Sequence, residues 1–337
     1  MANISILGCG AWGIGIGVLL NNNGHNVTMW SALENEVEML LKNRENTNSL
    51  KGVIIDDKIK ITSDIVDAVT DKDIIVMAVA SKFTRSTSNR IKDLIKDNQI
   101  ILNVAKGIEE DTLMTLTDII NNEIPNADVA VLSGPSHAEE VGRGLPTTCV
   151  VGARRKKTAE YIQEVFMSNA FRVYTSPDIL GIEIGGALKN VIALAAGMAD
   201  GLNYGDNTKA ALITRGIAEI GRLGIAMGAK AETFAGLTGI GDLIVTCASM
   251  HSRNRRAGIL IGQGKTADEA MKEVNQVVEG VYAAKAGLKL AKKYNISLPI
   301  IEQVNHVLFD NKDVNVAVKE LMLRDKTSEI SEDYWEE

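Results

Sequence analysis

The sequence predicts an α/β protein in two parts: an N-terminal doubly wound parallel sheet over residues 1–177 and a C-terminal all-α domain over 178–337. Three observations carry this. Short apolar runs alternate with helical patterns through the first half, which implies parallel strands joined by crossover helices. The runs lack strict polar/apolar alternation, as strands do when helices cover both faces of a sheet. After Pro177 the texture changes to helix punctuated by glycine.

The first run, Asn3-Ile4-Ser5-Ile6-Leu7-Gly8, ends in glycines, and a helical pattern begins near Trp12. Asn26-Val27-Thr28-Met29-Trp30 reads as the second strand. Residues 73–80 (DIIVMAVA) and 99–105 (QIILNVA) read as buried strands, and 128–133 and 147–152 continue the series. Helical stretches at 84–96 and 112–122 lie between them. Residues 178–203 form a long helical pattern rich in Ala, Gly, Leu and Ile. No internal repeat or low-complexity tract interrupts the chain, and the acidic tail 327–337 is expected to fray.

With 337 residues, two cores are the natural expectation. A net charge of −7 gives no general affinity for nucleic acid or acidic membranes, so any anionic ligand must be held by a local cluster of donors. Cys9, Cys149 and Cys247 are odd in number and far apart, which suits neither a disulfide framework nor a zinc site. The first lysine is Lys42, so no basic leader is expected, and no apolar run approaches the length of a membrane span. These features point to a soluble protein of a reducing compartment, the cytoplasm.

Gly8-Cys9-Gly10-Ala11-Trp12-Gly13 fits G-x-G-x-x-G between the first strand and the first helix. In that context the first glycine permits the tight turn, the second lets a pyrophosphate approach the backbone, and the third lets helix and strand pack closely. The helix N-terminus then faces the phosphates. In that context the motif points to a dinucleotide site; the other reading is a glycine-rich turn that binds nothing. The acid expected at the end of the second strand, which would hold a ribose 2′-hydroxyl, is missing: Trp30 is followed by Ser31, Ala32 and Leu33, and the first acid is Glu34. No arginine stands there for a 2′-phosphate either. NAD or NADP therefore stays open, with NADH expected to serve at least as well as NADPH unless Lys42 or Arg44 folds back.

Lys189 is the only basic residue between Arg172 and Lys209, with Gly185, Gly186, Ile192 and Ala193 as its helical neighbours. Poor solvation would lower its ammonium pKa toward neutrality, as a proton carrier for a secondary alcohol requires. The alternative is a lysine that reaches out to water. Gly185 and Gly186 would leave room for a ligand. Lys106 follows a buried strand at its carboxyl end, where it would fix a carbonyl oxygen or cap a loop. In His251-Ser252-Arg253-Asn254-Arg255-Arg256, Ser252 can cap the following helix while free N–H groups and Arg253 suit a phosphate. The other reading is a solvated basic turn, and at most two of the three arginines can face one phosphate. His137 rivals Lys189 as the base because histidine titrates near neutrality. His25 and His306 read as structural. Asp242 either orients Lys189 or caps a helix.

Taken together, the glycine loop, Lys106-Gly107-Ile108-Glu109, Ser133-Gly134-Pro135-Ser136-His137-Ala138-Glu139, Ala187-Leu188-Lys189-Asn190-Val191, Leu237 through Arg256 (LTGIGDLIVTCASMHSRNRR) and Val278-Glu279-Gly280-Val281 resemble the bacterial NAD(P)-dependent glycerol-3-phosphate dehydrogenases. The resemblance covers nearly the whole chain. It implies a site between a Rossmann domain and a helical domain, interconverting sn-glycerol 3-phosphate and dihydroxyacetone phosphate and supplying phospholipid synthesis. By that resemblance Lys189 is the catalytic acid/base, assisted by Lys106, and Lys106, Asn190, Asp242 and Thr246 surround the substrate. Ser252, Arg253 and Asn254 bind its phosphate, with Gly134 and Ser136 nearby. Gly8, Gly10, Ala11, Trp12, Gly13, Lys106, Ala138, Arg253, Val277 and Glu279 touch the cofactor, NAD or NADP. Val79-Ala80-Ser81 departs from the family's frequent Val-Pro-Ser, and the second strand lacks the basic residues that commonly follow it in the family.

Two rivals remain at this point: another two-domain dehydrogenase acting on a hydroxy acid of the ketopantoate or 3-hydroxyisobutyrate type, and a nucleotide-sensing module without catalysis. The partner is a small phosphorylated substrate, with no nucleic acid and no membrane. Glycine-rich helices suit packing within one subunit or between two, so a homodimer stays open.

Overall fold

The computed structural model describes residues 1–326 with Ser328 and Glu329. The rest of the tail expected to fray, Thr327 and 330–337, lies outside the described residues. Eight strands form one sheet: β1 (Asn3–Leu7), β2 (Asn26–Trp30), β3 (Lys60–Thr62), β4 (Ile74–Met77), β5 (Ile100–Asn103), β6 (Asp128–Ser133), β7 (Thr147–Ala153) and β8 (Phe171–Ser176). Their spatial order is β3-β2-β1-β4-β5-β6-β7-β8. The order reverses between β1 and β4, so the carboxyl ends of these two strands open the crevice where such sheets bind ligands.

Every neighbouring pair runs parallel except β6 and β7, so the expected parallel sheet carries one antiparallel junction. A parallel return needs a crossover, usually a full helix. The segment after β6 holds only a tight turn and the single helical turn Ala138–Val141, so β7 comes back antiparallel. Strand β3, strand β8 and the helix Glu34–Asn43 are additions to the sequence reading. Both strands are edges of the sheet, and β3 has three residues. The helix read at 112–122 starts later, at Leu116, because the Thr115 hydroxyl caps it by accepting from Asp118 N–H.

Burial explains the apolar strands. In β4, Ile74 and Val76 enter the core on one side of the sheet while Ile75 and Met77 enter the core on the other. Both faces are covered, so no polar alternation is needed.

Beyond Ser176 the described residues form helices only, packed around the 23-residue helix Ile179–Gly201. Asp178 caps this central helix by accepting from Gly181 N–H, and its other oxygen accepts from Lys230 N–H and Thr233 Oγ1. By length and composition the central helix could cross a membrane, which corrects the expectation that no segment reaches that length. Single polar residues break its apolar run in the sequence, but in the fold Glu183, Lys189 and Asn190 are buried and paired, and other helices surround it. Its apolarity belongs to a protein core.

The helix Arg253–Gly262 crosses the central helix at backbone contact. A Cβ on Gly258 would lie 2.2 Å from the Leu194 carbonyl oxygen and 2.9 Å from Gly197 Cα. This close approach carries the first turn of that helix against Lys189 and Asn190.

Candidate active site

The glycine loop forms one end of a cleft of about 330 Å³ between the sheet and the helical domain. Gly8 has φ +120° and a Cβ there would sit 2.8 Å from the Ala78 carbonyl, so only glycine turns the chain at this point. A Cβ on Gly13 would lie 2.0 Å from the Gly8 carbonyl oxygen, so helix and strand touch through it. Gly10 faces open space, with nothing within 4 Å of an added Cβ. The helix Ala11–Asn22 begins there without a side-chain cap, leaving its first N–H groups to the cleft. Open backbone and a bare helix N-terminus together fit a pyrophosphate.

At the opposite wall Asp242 is the pivot. Lys189 Nζ donates to Asp242 Oδ1 and, at 2.6 Å, to Thr246 Oγ1. Lys106 Nζ donates to Asp242 Oδ2 at 2.7 Å and to the Gly134 carbonyl at 3.1 Å. The Thr246 hydroxyl in turn donates to the Asp242 carbonyl. Asp242 opens the helix Asp242–Ala248 but makes no capping hydrogen bond. Of its two sequence readings, orientation of Lys189 is the one the geometry matches. Lys106 lines the cleft and, through the Gly134 carbonyl, also ties down the turn after β6. Lys189 does not reach out to bulk water, being 5% exposed. The space at Gly185 and Gly186 is taken by the Thr238 carbonyl and the Lys106 stem, which corrects the expectation that these glycines leave room for a ligand.

Burial pulls the Lys189 ammonium down to about 8, with Asp242 opposing and Lys106 adding to the fall. Burial pushes the Asp242 carboxyl up, but the two ammonium groups outweigh it and hold the acid below the usual carboxylate range. His137 also lines the cleft, with its ring 5.7 Å from that of His251. Its pKa is lowered, by burial first and then by repulsion from Lys189. Its Nε2 is buried and has no hydrogen-bond partner among the described residues.

The basic turn sorts its three arginines. Arg255 is committed to Asp200 and the Ala248 carbonyl, both at under 3 Å. Arg256 lies outside the cleft, and Arg253 lines it. Burial works against the Arg253 charge, with Glu279 and Glu139 opposing that effect. Ser252 caps the helix by accepting from Arg255 N–H at 3.2 Å. Asn254 donates to Asn190 Oδ1 at 2.9 Å and accepts from Gly280 N–H, which locks this turn to the central helix. Glu279 takes two hydrogen bonds from Ser81, from N–H at 3.2 Å and from Oγ at 2.6 Å, joining the helical domain to the loop after β4.

Of the residues singled out from sequence, Gly10, Ala11, Trp12, Lys106, Ser136, Ala138, Lys189, Asn190, Thr246, Ser252, Arg253, Asn254, Val277 and Glu279 line the cleft. Gly8 and Gly13 shape the loop from behind, while Gly134 and Asp242 act from below on Lys106 and Lys189. Ser136 Oγ donates to the Gly134 carbonyl. His25 bridges Ala2 N–H and the Val165 carbonyl, and His306 contacts Asp310, so neither joins the site.

The sequence reading missed Glu139 and Gln276 in the lining, and a carboxylate beside the glycine loop. That carboxylate is Glu36, which accepts from Ser31 Oγ at 2.5 Å and from Asn46 Nδ2 at 3.4 Å. Asn46 also donates to the Cys9 carbonyl within the loop, at 3.4 Å. The only available signal was the spacing of Ser31 and Glu36 across a helix start.

Comparison with known proteins gives a consistent result. The family models for the N-terminus and the C-terminus of NAD-dependent glycerol-3-phosphate dehydrogenase match residues 3–159 and 178–319. The chain is 65% identical over 332 residues to a glycerol-3-phosphate dehydrogenase [NAD(P)+] of Fusobacterium nucleatum, covering 98% of this chain and 99% of that protein. It is 62% identical over 335 residues to one of Agathobacter rectalis, covering 99% and 100%. The crystal structure of glycerol-3-phosphate dehydrogenase from Coxiella burnetii superposes with a TM-score of 0.93 at 34% identity, covering 96% of this chain and 99% of that one.

Proposed function

The chain belongs to the NAD-dependent glycerol-3-phosphate dehydrogenase family, and from that premise we propose how its own residues run the reaction. The activity is the NAD(P)-dependent interconversion of sn-glycerol 3-phosphate and dihydroxyacetone phosphate. The observation that carries the assignment of roles is the buried carboxylate of Asp242 holding Lys189 and Lys106 side by side in the cleft.

When bound, NAD(P) accepts or supplies the hydride at C2 of the substrate. Lys189, in its neutral form, takes the proton of the C2 hydroxyl during oxidation and returns it during reduction. Its pKa near 8 places both protonation states within reach at neutral pH. Lys106 stabilises negative charge on the same oxygen, with Asn190 and Thr246 as lesser aids. Arg253 and the N–H groups of its helix hold the phosphate. His137, kept neutral and with no carboxylate hydrogen-bonded to its ring, is the weaker base.

The boundary between the two domains falls at residue 177, supported by the last strand ending at Ser176 and by the helical domain having its own core. The protein acts in the cytoplasm, where the three cysteines stay free and the glycerol 3-phosphate formed feeds phospholipid synthesis. A homodimer would have to use surfaces other than the glycine stripe of the central helix, which is filled by Gly258 and Gly262 within the subunit.

The test is a spectrophotometric assay of NADH and NADPH oxidation with dihydroxyacetone phosphate as substrate. Turnover with at least one cofactor is expected. Absence of turnover with both, in a folded protein, would overturn the reading.

A further inference from the structure

We propose that Glu36 binds the ribose 2′-hydroxyl of the adenosine half of the cofactor and thereby selects NAD over NADP. The proposal rests on the reading that the glycine loop holds a dinucleotide, and it goes beyond it by resolving which one.

In sheets of this kind the adenosine ribose lies over the carboxyl end of the second strand, and an acidic side chain there accepts from its hydroxyls. No acid stands at the end of β2 in the sequence. The fold supplies one from elsewhere. Ser31 is the first residue after β2, and Gly8 N–H donates to the Trp30 carbonyl, so Ser31 lies beside the first glycine of the loop. Ser31 Oγ also accepts from Leu33 N–H at 3.2 Å, which turns the chain into the helix Glu34–Asn43 and brings its third residue, Glu36, back over the strand end. The carboxylate is then held from two sides. Ser31 donates to one oxygen, and buried Asn46, itself bonded to the Cys9 carbonyl of the glycine loop, donates to the other. A carboxylate offers about four acceptor sites, so two remain for a ligand diol. Glu36 is half-buried, so part of the side chain stays open to solvent.

A 2′-phosphate would bring roughly −1.5 to −2 charges to a fixed anion. Discrimination then rests on repulsion against the wrong ligand as well as attraction for the right one. The nearby cations that would neutralise the phosphate are engaged or distant. Arg44 donates to the Ile59 carbonyl at 2.9 Å and pairs with Asp57 at 3.3 Å. Arg90 stacks over the Trp30 ring at 5.1 Å. Lys42 lies six residues further along the same helix, about 9 Å along its axis.

Equilibrium titration of the protein without substrate, followed by calorimetry, tests this with four probes: NADH, NADPH, ADP-ribose and 2′-phospho-ADP-ribose. The wild type is expected to bind NADH and ADP-ribose at least about tenfold more tightly than their 2′-phosphorylated counterparts. Glu36→Gln should shrink both ratios to about threefold or less, mainly by tightening the phosphorylated probes, and Glu36→Ser should do the same. Equal affinities in the wild type, or ratios unchanged in a folded variant, would overturn the role of Glu36 while leaving the dinucleotide site intact. Failure of all four probes to bind the wild type would overturn the dinucleotide reading itself, and this inference with it.

Discussion

Lys189 and Asp242 form an ion pair inside the protein, with side chains 7% and 1% exposed. Each corrects the other's burial cost: the lysine helps keep the acid ionised, and the acid keeps the lysine from losing its proton at neutral pH. Burying either alone would be expensive. The pair places a titratable group in the wall of the cleft.

Lys189→Met keeps bulk and removes the proton carrier. Positioned acid–base groups typically contribute about 10²- to 10⁴-fold, so kcat should fall by roughly that much. Calorimetric Kd for NADH should stay near that of the wild type. Near-normal kcat would instead move the base to His137.

Asp242→Asn tests the coupling through pH. Oxidation of glycerol 3-phosphate needs neutral Lys189, so kcat/KM in that direction should rise with pH through about 8 in the wild type. Asp242 raises the lysine pKa, and its loss should move the midpoint to lower pH, together with a lower kcat from the misplaced ammonium. An unchanged midpoint would show that another group is being titrated.

Arg253→Ala removes charge-assisted hydrogen bonds worth about 1.5–3 kcal/mol. KM for dihydroxyacetone phosphate should rise roughly tenfold to a hundredfold. Rates with unphosphorylated dihydroxyacetone, already feeble, should hardly change, because the missing contact was never made. Equal losses for both substrates would assign Arg253 to the cofactor or to the fold.

Glu183 offers a test away from the chemistry. It is buried in the central helix and accepts from Thr117 N–H, Thr117 Oγ1 and Asn103 Nδ2, tying the helical domain to the sheet domain. Burial pushes its carboxyl up to about 7. A carboxyl whose folded pKa lies above its unfolded value binds more protons in the folded state between about 4.5 and 7. Stability should therefore fall as pH rises through that window and level off above it. Glu183→Gln should abolish this component, leaving the variant more stable than wild type at pH 8 relative to pH 5 by about 3 kcal/mol. Chemical denaturation at the two pH values measures it, and parallel pH profiles for both proteins would refute it.

The architecture was legible in the sequence because its signals are local. The loop Gly8 to Gly13, the two-sided apolar strands and the change of texture at Pro177 each depend on neighbours within a few residues. Segments 134–146 and 60–62 were less legible. Whether β7 runs parallel or antiparallel depends on how far the preceding turn carries the chain, and three residues of β3 make no periodic pattern. The lysine at 189 announced itself as the only basic residue on an apolar helix. Its partner did not, because the residues lie 53 positions apart and meet only when two helices pack.

What the sequence determined by itself was therefore the order of elements, the glycine loop, and the kinds of side chain available to the site. Backbone preference and hydrophobic pattern act over one or two helical turns, so they can be read from the chain. What only the tertiary structure decided was which donors converge. Asp242 became the shared anchor of Lys189 and Lys106, Arg253 alone of three neighbouring arginines took its place in the cleft, and Glu36 returned to the end of β2 through Ser31 and Asn46. Such meetings depend on close packing and on the pairing of buried polar groups, and these are properties of the folded chain as a whole.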